Sequence, residues 1–202
     1  MTERKKIIAS TTPKGTLKFP KLEAPDFGTN DFPYPGGRYF TKLVMSADDL
    51  RTRAFLEALR PHHDAAIAAA NNEFSKLKFE ARQKLGSIRA NNFFTTLCDR
   101  DTKEPTGDIE FNFKMTASGV RNDGSRWSTK PVIFDAKCTR MTKVPEILSG
   151  SIGRVAFEIA PYFIPATGAA GLSMKLKAVQ ILKLRSGVQH SAELYGFHSE
   201  AA

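Results

Sequence analysis

The feature that most constrains this chain is a change of period. After residue 107, apolar and polar residues alternate: Ile109, Phe111, Phe113 and Met115 are separated by Glu110, Asn112 and Lys114. Period two places one face in a core and leaves the other wet, which describes a strand and excludes a helix. The same pattern returns in 152–163, where Val155, Phe157 and Ile159 alternate with Arg154 and Glu158. It returns again in 172–184, with Leu172, Met174 and Leu176 against Lys175 and Lys177. A shorter run, 132–138, is expected to turn Val132, Phe134, Ala136 and Cys138 one way and Ile133, Asp135 and Lys137 the other.

Before the switch the period is helical. Ala66, Ala70, Phe74, Leu77, Ala81 and Leu85 recur at the spacing of one helix face, giving an apolar stripe that must pack on something. Ser46 with Asp49 three residues on predicts a capping box that opens a helical insertion over 46–85, with Pro61 as a kink or second start and Gly86 as its close. One strand, Arg38–Met45, precedes the helix. The stretch before it is broken by Pro13, Pro20, Pro25, Pro33 and Pro35, which forbids a helix and leaves extended segments and turns. The expected fold is mainly β with a helical insertion: an OB-fold five-stranded barrel, with the long helix inserted after the first strand.

At 202 residues with 15 Phe, one domain with a sizeable core is expected. It should span 1–185, and the weakly acidic 186–202 reads as a separate, mobile tail. No run approaches the roughly 20 apolar residues of a membrane helix, and the N-terminus has too short an apolar run for a signal peptide. A soluble intracellular protein without a membrane partner is expected. Cys98 and Cys138 match no metal spacing and read as reduced thiols in or near a core.

The charge balance is 30 Lys+Arg against 21 Asp+Glu, a net +9, and it is uneven. The helical 46–85 is almost neutral. From 137 to 185, Lys137, Arg140, Lys143, Arg154, Lys175, Lys177, Lys183 and Arg185 face only Glu146 and Glu158, supplying +6 of the total. A basic footprint of this kind points to a polyanion.

Enzymatic readings find little support. His62 and His63 are neighbours on a helix, point to different sides and read as solvated. Asp99 and Asp101 lie in a turn-like composition, and neither a phosphate-cradling loop nor a nucleophile elbow is present. No catalytic residue, metal or cofactor is expected. What remains is a positive surface interleaved with aromatics, the equipment with which nonspecific single-strand binders hold phosphates and stack bases. Candidate contacts are the aromatics Tyr162, Trp127 and Tyr39 and the cations Lys114, Lys130, Lys137, Arg140, Lys143, Arg154, Lys175 and Lys177. By pattern alone Tyr162 and Trp127 are equally compatible with packing. Two other classes stay open: a structural or assembly protein with a generic basic face, and a nuclease, for which clustered carboxylates are lacking.

Four stretches, in order, resemble the phage-encoded OB-fold single-stranded DNA-binding proteins. They are Lys5-Lys-Ile-Ile-Ala-Ser10; Ala24-Pro-Asp-Phe-Gly28 with Gly37-Arg-Tyr-Phe40; the helix around His63-Asp-Ala-Ala-Ile-Ala-Ala-Ala70; and the run from Val144-Pro through Glu158-Ile-Ala-Pro-Tyr162 to Gly168-Ala-Ala-Gly-Leu-Ser-Met-Lys-Leu-Lys-Ala-Val-Gln180. The resemblance implies nonspecific single-stranded DNA binding in phage replication, recombination and repair, in the cytoplasm of an infected bacterium. It assigns Tyr162 to DNA contact and adds Arg82 or Arg89 in the helix-to-strand connection. It further implies a homodimer, and a phage polymerase or primase-helicase recruited through an acidic C-terminal tail. Here the residues after Arg185 carry only Glu193 and Glu200, a departure that weakens the expectation of tail-borne partners.

Overall fold

A computed structural model describes residues 8–185, so the expected tail at 186–202, and with it the tail-borne partners, lies outside the described residues. In chain order the strands are β1 (Ile8–Thr11), β2 (Gly15–Gly28) and β3 (Pro33–Ser46), followed by helices α1 (Leu50–Ser75) and α2 (Phe79–Leu85). Then come β4 (Arg89–Ala90), β5 (Thr95–Cys98), β6 (Pro105–Thr116), β7 (Ser118–Val120), β8 (Arg126–Ser128), β9 (Val132–Phe134), β10 (Ile152–Ile164) and β11 (Ala169–Lys183).

The strands β10, β2, β3, β6 and β11 pair in that order, and β11 pairs back onto β10, which closes a five-stranded barrel. Closure removes exposed sheet edges and lets every inward residue meet one core. The alternation read from sequence decides which residues those are. Ile109, Phe111 and Phe113 of β6, Val155, Phe157 and Ile159 of β10, and Leu172, Met174 and Leu176 of β11 are all buried. Phe111 is the hub of the core, with ring centroids 5.4 Å from Phe55, 6.0 Å from Phe94, 6.4 Å from Phe113 and 6.5 Å from Phe93.

Helix α1 follows the third strand, not the first. The Pro-rich opening forms β2 and the start of β3, two long strands whose ladder shifts register between Lys18 and Lys21 and again before Asp26, flanking Pro20 and Pro25, which have no N–H to give. Asp49, not Ser46, caps α1, accepting from the Arg51 N–H at 2.7 Å. Pro61 is carried inside the continuous helix. Phe55, Leu59, Ala66 and Ala70 are the buried face of α1, whereas the stripe expected to run on to Leu85 is broken at 76–78, and α2 buries no residue.

Three further expectations are corrected. In β9 Ile133 is buried while Val132 and Phe134 are half-buried, the expected alternation, but the strand does not run on to 138: it ends at Phe134 and Asp135 turns the chain. The Asp135 carboxylate accepts from the Lys137 and Thr139 N–H groups at 2.9 and 2.8 Å. Cys98 and Cys138 are exposed, not in the core. His63 is not solvated: its side chain is 15% exposed and its ring packs against Phe93. Among the described residues no helix is long and apolar enough to cross a membrane.

Candidate nucleic-acid interface

Strands β3, β6, β11 and β10 turn their polar residues to one outer face of the barrel. Register sets which of these meet. In the parallel pairing of β6 with β11, Lys114 stands opposite Lys175. Both are exposed and neither forms an ion pair among the described residues: Glu158, the partner of Lys175 on the β10 side, turns its carboxylate to Lys177 instead. Like charges opposed across a ladder are unfavourable, so this juxtaposition costs stability unless an anion is there to be met.

Lys114 is shared by two clefts. The first, of about 720 Å³, is lined by Arg89, Asn91, Lys114 and Tyr162, with Lys42, Phe93 and Phe94 among the other walls. The second, of about 650 Å³, is lined by Tyr34, Arg38, Trp127, Lys175 and Lys177 beside Lys114, and Ser173 also belongs to both. Together they make one path across the barrel face from Arg89 and Tyr162 to Trp127 and Lys177. Aromatic rings stand at both ends and unneutralised lysines in the middle.

Each aromatic is positioned by a glycine. Trp127 pairs with Gly119 in the β7–β8 hairpin, and a Cβ on Gly119 would come within 2.8 Å of the indole. Tyr162 of β10 stands opposite Gly171 of β11, and its hydroxyl accepts from Asn91 Nδ2 at 2.9 Å. Arg89 is exposed and has no ion pair among the described residues, whereas Lys42, Lys177 and Arg38 carry carboxylate partners. Glu110, a nearly buried side chain at 9% exposure, accepts from Lys42 at 2.6 Å and lies 3.6 Å from Lys18. Glu158 lies 2.9 Å from Lys177. Arg38 is 3.2 Å from Asp26 while its guanidinium stacks on Tyr34 at 3.7 Å. The Gly28 N–H, and after it Arg38, hold the Asp26 carboxyl below the usual carboxylate range, so this tether persists into acid pH.

Of the expected contacts, the path gathers Tyr162, Trp127, Lys114, Lys175, Lys177 and Arg89. It does not gather the others. Tyr39 is a correction: only 6% exposed and part of the core, it has no face for a base, because the alternation that buries Leu43 and Met45 buries Tyr39 with them. Lys137, Arg140 and Lys143 lie in the connection after β9, Arg154 lies opposite Gln180, and Arg82 lies on α2; none lines either cleft. The Arg154 Nε is buried without a hydrogen-bond partner. Lys130 borders a separate depression beside Phe27 and Tyr39. Sequence reading missed Lys42, Arg38 and Tyr34. The first two are the outward partners of Tyr39 and Thr41, and the same parity would have found them. Asp99, considered for metal chemistry, accepts from the N–H groups of Thr102 and Asp101, which hold its carboxyl below the usual range and close a turn.

Over most of its length the chain is similar to known proteins. A family model described as "Single-stranded DNA-binding protein, Bacteriophage T7" matches residues 15–184. The single-stranded DNA-binding protein of Enterobacteria phage T3 is 27% identical over 168 residues, covering 81% of this chain and 70% of the relative. The crystal structure of gp2.5, a single-stranded DNA-binding protein encoded by bacteriophage T7, superposes with a TM-score of 0.72 at 25% identity, covering 90% of this chain and 95% of that one. The single-stranded DNA-binding protein of bacteriophage Enc34, in complex with ssDNA, shares the fold alone, at TM-score 0.51 and 16% identity over 89% of each chain. With its barrel and nearly all of its described length matched, this chain belongs to the bacteriophage T7 single-stranded DNA-binding protein family.

Proposed function

We propose that this protein binds single-stranded DNA without sequence preference along the path across the barrel, with phosphates at Lys114 and Lys175 and bases on Tyr162 and Trp127. The observation that carries the reading is the Lys114–Lys175 opposition at the junction of the two clefts. Glu158 stands opposite Lys175 on the β10 side, but its carboxylate lies 2.9 Å from Lys177, so the facing pair Lys114 and Lys175 keeps its charge for a bridging polyanion. Binding, not catalysis, is the activity. Coating exposed strands during phage replication, recombination and repair, in the cytoplasm of the infected host, is the role that family membership supports.

Fluorescence anisotropy of a dT oligonucleotide and of a matched duplex, over a salt series without divalent metal, tests the reading. Tight, salt-sensitive preference for the single strand is expected. Equal weak binding to both would demote the face to general polyanion attraction and bring forward a structural or assembly role.

The ion pairs grade the lysines. Lys175→Ala is expected to weaken binding to all sequences alike and to reduce the salt slope by about 0.7 for a single strand. Lys177, already neutralised by Glu158, contributes less. Glu158→Gln frees it, removes the carboxylate opposite Lys175 as well, and is expected to tighten binding roughly twofold to fivefold, as the loss of one partly exposed competing pair allows. Unchanged or weaker binding by Glu158→Gln in the same titration would show that the carboxylate orients Lys177 toward DNA rather than competing with it.

A further inference from the structure

We infer that Asn91 is a positioning residue that fixes the Tyr162 ring at the DNA path, and that His63 of the inserted helix holds Asn91 for this task. The inference rests on the proposed function, in which Tyr162 stacks on a base. Its geometry is a chain of hydrogen bonds running from α1 to the cleft. His63 Nε2 lies 3.0 Å from the Asn91 carbonyl. A carbonyl only accepts, so Nε2 carries the proton and the histidine tautomer is set. The Asn91 N–H donates to the Ala170 carbonyl at 2.8 Å, tying the backbone to the start of β11. The Asn91 amide then donates to the Tyr162 hydroxyl at 2.9 Å.

Two features show that the arrangement is tightly fitted. A Cβ on Gly171 would lie 2.9 Å from the Asn91 carbonyl oxygen and 3.2 Å from the Tyr162 hydroxyl, so the absence of a side chain there is what lets the two meet. The His63 ring is held in turn by Phe93 at 5.3 Å, and Phe93 packs on the core. The hydroxyl end of Tyr162 is thereby fixed while the faces of the ring stay out of the hydrogen bonding. A ring ordered before DNA arrives does not lose rotamer freedom on binding. The helix inserted between β3 and β4 thus acts as a buttress for an aromatic platform on a distant strand.

The Asn91 side chain can be tested without disturbing its backbone bonds, since both of them survive Asn91→Ala. Affinity for dT is measured for the full chain, Asn91→Ala, Tyr162→Phe and the double variant, with Tyr162→Ala as reference. Asn91→Ala and Tyr162→Phe are each expected to lose about threefold to tenfold, the scale of one side chain ordered on binding. The double variant should lose no more than either alone, because both remove one hydrogen bond. The salt slope should be unchanged in all, which general damage to the basic face would not allow. With 13Cζ-labelled tyrosine, Asn91→Ala should shift one resonance among the four tyrosines. Multiplicative losses, a lowered slope, or unaltered affinity in Asn91→Ala would each overturn the positioning role. Normal binding by Tyr162→Ala would overturn instead the site reading beneath it.

Discussion

Tyr162→Ala is expected to weaken binding to a dT oligonucleotide by about 1–3 kcal/mol, roughly fivefold to 150-fold, the measured range for one base–aromatic stack. The slope of log affinity on log salt should hardly move, since no cation is removed. The contrast with Lys175→Ala is the informative part: one variant lowers affinity at constant slope, the other lowers both. Tyr162 is half-buried on β10 and lines the first cleft as well as an apolar slot beside α1. Its removal opens the cleft wall without touching the fully buried core. Thermal melting of the same variant should therefore stay near that of the parent. Normal affinity in Tyr162→Ala would reduce the tyrosine to a wall and move the binding path away from the first cleft.

Phe111→Ala is expected to have the largest effect on stability, about 3–5 kcal/mol, since it removes a fully buried ring and leaves a cavity. Its side chain is 0% exposed, and its ring meets Phe55 of α1, Phe113 of the same strand, and Phe93 and Phe94 of the connection into β5. One substitution therefore loosens helix, connection and barrel together. Against a typical total of about 5–15 kcal/mol this is a large share, and a melting temperature lower by roughly 6–20 °C follows for a chain of this size. Phe32→Ala, at a ring 74% exposed, is the matched control and should stay within about 0.5 kcal/mol. If the two variants melted together, Phe111 would not be the hub of the core.

The two substitutions mark what could and could not be read from the chain. The burial of Phe111, Phe157 and Leu176 was legible because a barrel strand has one dry face, and period two follows from that. The strands β2 and the start of β3 were legible only as extended chain. Their prolines lack the N–H that a regular ladder needs, so they pair through register shifts that carry no periodic signature. The helix was consequently expected after the first strand and lies after the third. In β9 the alternation holds from Val132 to Phe134, but the turn that the Asp135 carboxylate closes on the Lys137 and Thr139 N–H groups cuts short the strand expected to reach 138. Tyr39 was chosen for its charged neighbours, although its parity with Leu43 and Met45 already placed it inside.

By itself the sequence determined the β class, the presence of a long helix, the inward residues of β6, β10 and β11, and a basic surface suited to a polyanion. These are local properties, set by the alternation of side chains along one strand and by summed charge. Only the tertiary structure decided which cations lie together. Lys137, Arg140 and Lys143 are close in sequence to one another yet line neither cleft, while Lys114 and Lys175, distant along the chain, are opposed across β6 and β11. The same holds for the link from His63 through Asn91 to Tyr162, which joins a helix, a connection and a strand. Pairing between distant strands is fixed by closure of the whole barrel around its core, and no segment taken alone contains that register.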